Sequence, residues 1–194
     1  MFMKCARLIV LSTVIMPALL PSTCTTATVR AMAMDSVTLP LFQDRVAEYV
    51  ALHRQCAERL SLRGVNPDAR GGATFRQALA DSVRSCRRHA QPGDILCPDV
   101  ALRILQVVRI DLAAREPVER RAIFAEVPNV LLLRVNDPYP SGEPIATMPP
   151  ALLLRLPPLP PELQYRFLGR TLILLDADAS LVVDVLPYAL PRYR

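Results

Sequence analysis

The sequence predicts an α+β fold, in which an N-terminal cluster of about four helices precedes a small antiparallel β-meander. Three observations lead there. Apolar residues recur at helical spacing in four segments between residues 38 and 127. Prolines then crowd together, residues 128–161 holding 10 of the 19 in the chain. Finally, three short apolar runs parted by turn residues close the sequence.

The first helix is predicted over about Leu41 to Leu62, with Phe42, Val46, Tyr49, Val50, His53, Cys56, Ala57 and Leu60 on one face. Gly64, Asn66-Pro67 and Gly71-Gly72 end it in a loop. A second is predicted over about Phe75 to Ala90, its face carrying Phe75, Leu79, Val83, Cys86 and Ala90, with Gln91-Pro92-Gly93-Asp94 as its stop. Pro98 and Asp99 suit the first turn of a third, whose face is Val100, Ile104, Leu105, Val108 and Leu112. A fourth is short, from Pro117 to about Val127, with acids at Glu116 and Glu119 near its start. Such stripes are buried only against one another, so the four helices are expected to cluster.

Residues 128–161 read as an extended or turning connector, with a short strand at Val130 to Val135 and a polyproline stretch at Leu156 to Pro161. The meander follows over residues 162–190. Its strands are Leu163 to Leu168, Thr171 to Asp176 and Leu181 to Leu186, joined by turns at Gly169-Arg170 and Ala177 to Ser180. Three strands alone are marginally stable, so the helical part (38–127), connector and meander are expected to form one domain within residues 28–194.

Composition bounds the function. The chain has 194 residues, 52% hydrophobic and 21% charged, with a mean hydropathy of +0.25, which excludes an extended disordered protein. Net charge is +5, carried by 22 Arg and the single Lys4. The densest basic cluster, Arg84, Arg87 and Arg88, lies near a predicted helix end, where cations complement the dipole. None of the 5 Phe and 5 Tyr is interleaved with it, so no nucleic-acid partner is expected.

Lys4 and Arg7 precede the uncharged apolar run Leu8 to Leu20, and small residues follow, the order of a secretory signal peptide. Thr25-Thr26-Ala27 fits a cut after Ala27, so residues 1–27 are expected to be a leader and the protein to be exported, periplasmic or secreted. Membrane contact would then need an uncleaved leader or a lipidated Cys24. The residues before Cys24, Pro21-Ser22-Thr23, match a lipidation signal poorly. Removing the leader leaves 21 basic and 18 acidic residues, a net of +3.

Residues 156–187, LPPLPPELQYRFLGRTLILLDADASLVVDVLP, resemble the C-terminal unit of small exported bacterial proteins, including the periplasmic nickel/cobalt-homeostasis type. The shared features are a Pro-rich approach, a Tyr-Arg strand, an apolar strand ending in Asp and a final Val-Asp-Val strand. Ala90 to Ile95 with Pro98-Asp99-Val100 is similar to uncharacterised exported proteins of the same kind. The resemblance implies an envelope location. Members of the metal-homeostasis type are rich in His or acids, whereas this chain has 2 His.

The sharpest candidate chemistry is sulfur and imidazole. His53 and Cys56 are three apart on the first predicted helix, and Cys86 and His89 three apart on the second, so each pair shares a face. Packed antiparallel, the four would supply the donors of a tetrahedral zinc site, with Cys97 as a substitute. Against this, Cys56 and Cys86 on apolar faces act equally well as small hydrophobes, His53 as a hydrogen-bonded core residue and His89 as a solvated one. In an oxidising compartment the surviving thiols Cys56, Cys86 and Cys97 are instead disulfide candidates. Cys56 with Cys86 would staple two helices, and Cys86 with Cys97 would close the turn between them.

Other motifs fail. Asp176, Asp178 and Ser180 mimic a calcium loop, but Leu181 stands where the loop needs Gly and Pro187 where it needs Glu. Asp184, within the last strand, is expected to point outward or pair with an Arg. No nucleophile elbow, zincin helix, phosphate-binding loop or dinucleotide fingerprint occurs, so no cofactor and no catalytic residue is assigned. The sequence reads as a non-catalytic binding or accessory module of the cell envelope. Its partner would be an envelope protein or small ligand, held at the helix–sheet seam or along the last strand's edge. A metal-binding protein and an enzyme of unrecognised motif are the alternatives.

Overall fold

The computed structural model describes residues 38–65, 72–127, 133–140 and 148–192. Over these residues the fold is α+β. Four long helices, α1 (Thr38–Leu62), α2 (Gly72–Cys86), α3 (Pro98–Ala114) and α4 (Pro117–Glu126), precede a one-turn helix α5 (Pro150–Leu153). The strands β1 (Leu163–Leu168), β2 (Thr171–Asp176) and β3 (Leu181–Leu186) follow, with the bounds the turn residues predict. Among the described residues no helix is long and apolar enough to cross a membrane.

Local chemistry sets the helix limits. α1 is helical from Thr38, the first residue described and three before the predicted start. It stops at Gly64, whose φ of 78° turns the chain left-handed while Gly64 N–H and Val65 N–H cap the carbonyls of Ser61 and Leu60. α2 runs from Gly72 to Cys86 rather than from Phe75 to Ala90. Beyond Cys86 the Arg87 carbonyl accepts from Ala90 N–H at 2.9 Å and from the Asn136 side chain at 2.8 Å, which closes a turn instead of continuing the helix.

The Pro-rich connector departs from expectation twice. Pro149 and Pro150 open α5, since their fixed φ suits a first helical turn, and Leu152 anchors it in the core. Of the strand predicted at Val130 to Val135, residues 130–132 lie outside the described residues and 133–135 are not strand. Contact with the sheet comes later. Pro138 bridges Leu181, flanked by hydrogen bonds from Asn136 N–H to Val182 O, from Val182 N–H to Asp137 O and from Tyr139 N–H to Ser180 O. The outer edge of β3 is therefore covered along Ser180–Val182, which corrects the reading of that edge as an open docking site.

The sheet is antiparallel in the order β1-β2-β3. Its helix-facing side buries Leu163, Tyr165, Phe167, Leu172, Leu174, Leu181 and Val183 against Val46, Val50, Leu79, Val83, Val100, Ile104 and their neighbours. On the opposite side Ile173, Leu175, Val182 and Val185 are covered by half-buried Leu133, Val135 and Tyr139. This double cover explains why β2 and β3 read as continuous apolar runs rather than alternating ones.

A bulge between Leu174 and Leu175 of β2 pairs Leu174 with Asp184 and Leu175 with Val182, leaving Val183 unpaired on β3. Val183 and Asp184 thereby share the helix-facing side. Asp184 is fully buried, against the expectation that it points outward or meets an Arg. Its carboxylate accepts from the backbone N–H groups of Gly93 at 2.9 Å, Ile95 at 2.8 Å, Leu96 at 2.8 Å and its own neighbour Val185 at 2.8 Å. Gly93, at φ 90°, adopts the backbone that aims its N–H inward. The connection between α2 and α3 is thus wrapped around one carboxylate.

Removing that carboxylate leaves several amides buried without an acceptor. Asp184→Ala is expected to lower unfolding free energy by at least about 3 kcal/mol. Asp44→Asn, on the exposed side of α1, is expected to change it by less than about 0.5 kcal/mol. Urea denaturation of both variants checks this.

Candidate functional site

The helix–sheet seam is polar along one line, and α1 supplies most of it. Tyr49 and His53, one turn apart, both reach the last residue of β2. Tyr49 Oη donates to Asp176 Oδ2 at 2.6 Å, and His53 Nδ1 lies 2.6 Å from the same oxygen. A carboxylate only accepts, so Nδ1 carries a proton. Asp176 Oδ1 accepts from Ala179 N–H at 2.8 Å, tying the carboxylate to the β2–β3 turn. That turn carries Asp178, whose Oδ2 is 3.5 Å from His53 Nε2. One imidazole therefore lies between two carboxylates, Asp176 fully buried and Asp178 with 59% of its side chain exposed.

Burial alone would discharge His53. The hydrogen bond and charge of Asp176, with the charges of Asp178 and Glu162, outweigh it and raise its pKa above the ordinary histidine value. Burial also works against ionisation of Glu162. Its own backbone amide and the hydrogen bond and charge of Arg54, whose nitrogen is 2.6 Å away, prevail and hold its pKa below the ordinary range. The Tyr49 pKa is pushed up, first by burial and then by Asp176, so the phenol stays a donor.

Beside His53 lies a cavity of about 420 Å³. Among the described residues its walls are His53 and Ala57 from α1, Phe75, Arg76 and Leu79 from α2 with Gly72 at that helix's start, and Ala177 and Asp178 from the β2–β3 turn. Titratable groups with a shifted pKa beside a partly apolar cavity make this the best-formed candidate site. A second hollow, about 610 Å³, lies across Tyr49 and is rimmed by Asp44, Arg45, Glu48 and Asp94. Its floor includes Arg87, which lies over the Tyr49 ring at 5.0 Å and donates to Val183 O at 3.2 Å. The Arg45 guanidinium bonds the Asp94 carbonyl across it.

The four residues read as a possible zinc quartet are not gathered at one point. His53 is committed to Asp176, whereas His89 is exposed and accepts from Arg88 Nε at 2.9 Å. Cys56 is buried, and Cys86, placed by the helical pattern on the apolar face, is exposed at the last position of α2. The two sulfurs are 3.8 Å apart. Cys97 is buried as the residue before α3. Among the described residues no three His, Cys, Asp or Glu side chains are placed to hold a metal ion. Asp176, Asp178 and Ser180 do form a turn, with Asp176 as its cap and Ser180 at φ 47°.

Sequence reasoning missed the Tyr49–Asp176–His53 group. Tyr49 and His53 were legible as one face of the first helix, and Asp176 as the end of an apolar strand. Their convergence depends on the helix lying over β2, which no local pattern encodes.

The shifts set a pH dependence. The raised His53 pKa contributes stability that is complete below the ordinary value of 6.5 and is lost as pH rises through the elevated folded value. The lowered Glu162 pKa contributes stability that is complete above 4.5 and is lost as pH falls through the folded value. The melting midpoint is therefore expected to peak between these limits and to decline toward pH 9. His53→Gln is expected to cost about 2 kcal/mol near pH 5.5 and less at pH 9. Thermal melts of both proteins across this range check it. Comparison with family models, with curated proteins and with solved structures finds no match to this chain.

Proposed function

We propose that the protein is an exported, non-catalytic binding module of the bacterial cell envelope that takes a small ligand in the His53 cavity. The single observation behind this is the imidazole held between Asp176 and Asp178 on the wall of a 420 Å³ cavity. Export rests on the leader-like order of residues 1–27.

Binding fits the lining better than catalysis does. Against burial, the Asp176 and Asp178 carboxylates raise the His53 pKa, which favours the protonated ring over the neutral one that proton abstraction needs. Among the described lining residues there is no Ser, Thr, Cys, Lys or Tyr for His53 to activate. What the wall offers is charge and apolar surface. His53 is paired with Asp176 on one side and Asp178 on the other, so the charge the lining offers an anion is the exposed Arg76 guanidinium. Ala57, Phe75, Leu79 and Ala177 supply the apolar part. An anionic head on a short apolar body suits this lining, and a medium-chain carboxylate is the simplest such probe.

The test has two arms. Expressed with its own N-terminus in a bacterium, the chain is expected in the envelope fraction with a mass beginning at residue 28; recovery of the uncut chain from cytosol would sink export. Titration of the purified protein with octanoate is expected to shift the amide resonances of His53, Phe75, Leu79 and Ala177 saturably, and Arg76→Gln to weaken the effect several-fold. Shifts that do not saturate, or that survive Arg76→Gln unchanged, would remove the anionic ligand.

A further inference from the structure

The two sulfurs at the junction of α1 and α2 have no role in the site above, and their placement is specific. Cys56 lies on the buried face of α1, fully out of solvent, and Cys86 is the last residue of α2, exposed. Their Sγ atoms are 3.8 Å apart, in van der Waals contact, so a bond of about 2.05 Å needs only a small closing motion at the end of a helix. Cys97 is buried at the start of α3 and has no such neighbour among the described residues. We propose that Cys56 and Cys86 are an oxidation site, closing a disulfide between α1 and α2 when the protein meets a disulfide donor, while Cys97 stays a thiol.

The chemistry balances with one donor disulfide. The exposed Cys86 sulfur attacks it, forming a mixed disulfide, and the donor's first sulfur leaves as a thiol with the Cys86 proton. Cys56 then attacks the Cys86 sulfur, forming the Cys56–Cys86 bond, and the donor's second sulfur leaves as a thiol with the Cys56 proton. Two protein thiols are oxidised and one disulfide is reduced to two thiols. The order follows from access and acidity. Of the described cysteines Cys86 alone is open to solvent, and burial pushes the Cys56 thiol pKa up, so Cys56 reacts best with a sulfur already delivered beside it.

The bond bears on the cavity, because the same two helices form its walls. His53 and Ala57 flank Cys56 on α1, while Phe75 and Leu79 belong to α2. A cross-link between the helices fixes their separation, so the oxidised protein holds the cavity at one width. The proposal itself stands on the two sulfurs alone and does not depend on export or on any ligand.

The purified full chain, fully reduced and then equilibrated with oxidised glutathione, tests it. After alkylation under denaturing conditions and tryptic digestion, peptide 55–59 is expected disulfide-linked to peptide 85–87, and peptide 89–103, containing Cys97, alkylated. The oxidised protein is expected to melt above the reduced one. Cys97→Ala is expected to keep the link. Cys86→Ser, a change at an exposed position, is expected to abolish it while leaving the fold intact by circular dichroism. A link from Cys97, Cys5 or Cys24 in its place would overturn the proposal. So would three alkylated thiols at Cys56, Cys86 and Cys97, or a native mass raised by a metal ion with those thiols reduced.

Discussion

Two buried carboxylates fasten the helical layer to the sheet, and most of the architecture depends on them. Asp176 ends β2 and Asp184 lies in β3, both with no solvent exposure and both facing the helices. An ionised carboxylate taken out of water costs several kcal/mol unless donors replace its hydration. Here they do. Asp184 accepts from four backbone N–H groups, and Asp176 from a phenol, an imidazole and an amide. Apolar contact between a helix and a sheet tolerates sliding, but hydrogen bonds to a fixed carboxylate do not. The two aspartates therefore set the register of the layers, whereas the surrounding leucines and valines supply the bulk of the burial energy.

The candidate site is a by-product of this fastening. Asp176 holds α1 through Tyr49 and His53, and in doing so orients the imidazole and raises its proton affinity. The ring is therefore as fixed as the core it is bonded to. Asp178 arrives at its far nitrogen because Asp176 also caps the turn that carries it. Between the two aspartates, Arg87 lies over the Tyr49 ring and bonds the Val183 carbonyl. Its charge is partly buried with no carboxylate within salt-bridge distance among the described residues. Burial lowers its pKa, and the nearby charges of Asp184, Asp94 and Asp176 offset this at longer range.

Much of this was legible in the residues and some could not have been. The strands follow from Gly169-Arg170 and the Asp- and Ser-containing turn at 177–180, because such residues specify a turn locally. The buried face of α1 follows from helical spacing, and its members Phe42, Val46, Tyr49, Val50, His53, Cys56 and Leu60 are the ones the structure buries. Asp184 was misread because alternation along a strand assumes an unbroken ladder, and a single bulge reverses which side it faces. The one-turn α5 was misread because two prolines suit an extended chain and a first helical turn equally well. Tertiary context made the choice, through Leu152.

The end of α2 shows how one local event settles several others. Had the helix run on to Ala90, Arg87 would have followed the helical rotation rather than crossing to β3. The turn after Cys86 forms because the Arg87 carbonyl is taken by Asn136, which holds β3 through Val182. The guanidinium of Arg87 returns the contact at Val183. Cys86 is left as the terminal residue of α2, open to solvent yet against Cys56. The segment that follows, Gly93 to Leu96, is free to give its amides to Asp184. Edge cover of β3, the cation over Tyr49, the paired sulfurs and the Asp184 wrap are thus linked consequences of where one helix stops. A change that lengthened α2 would be felt at all four.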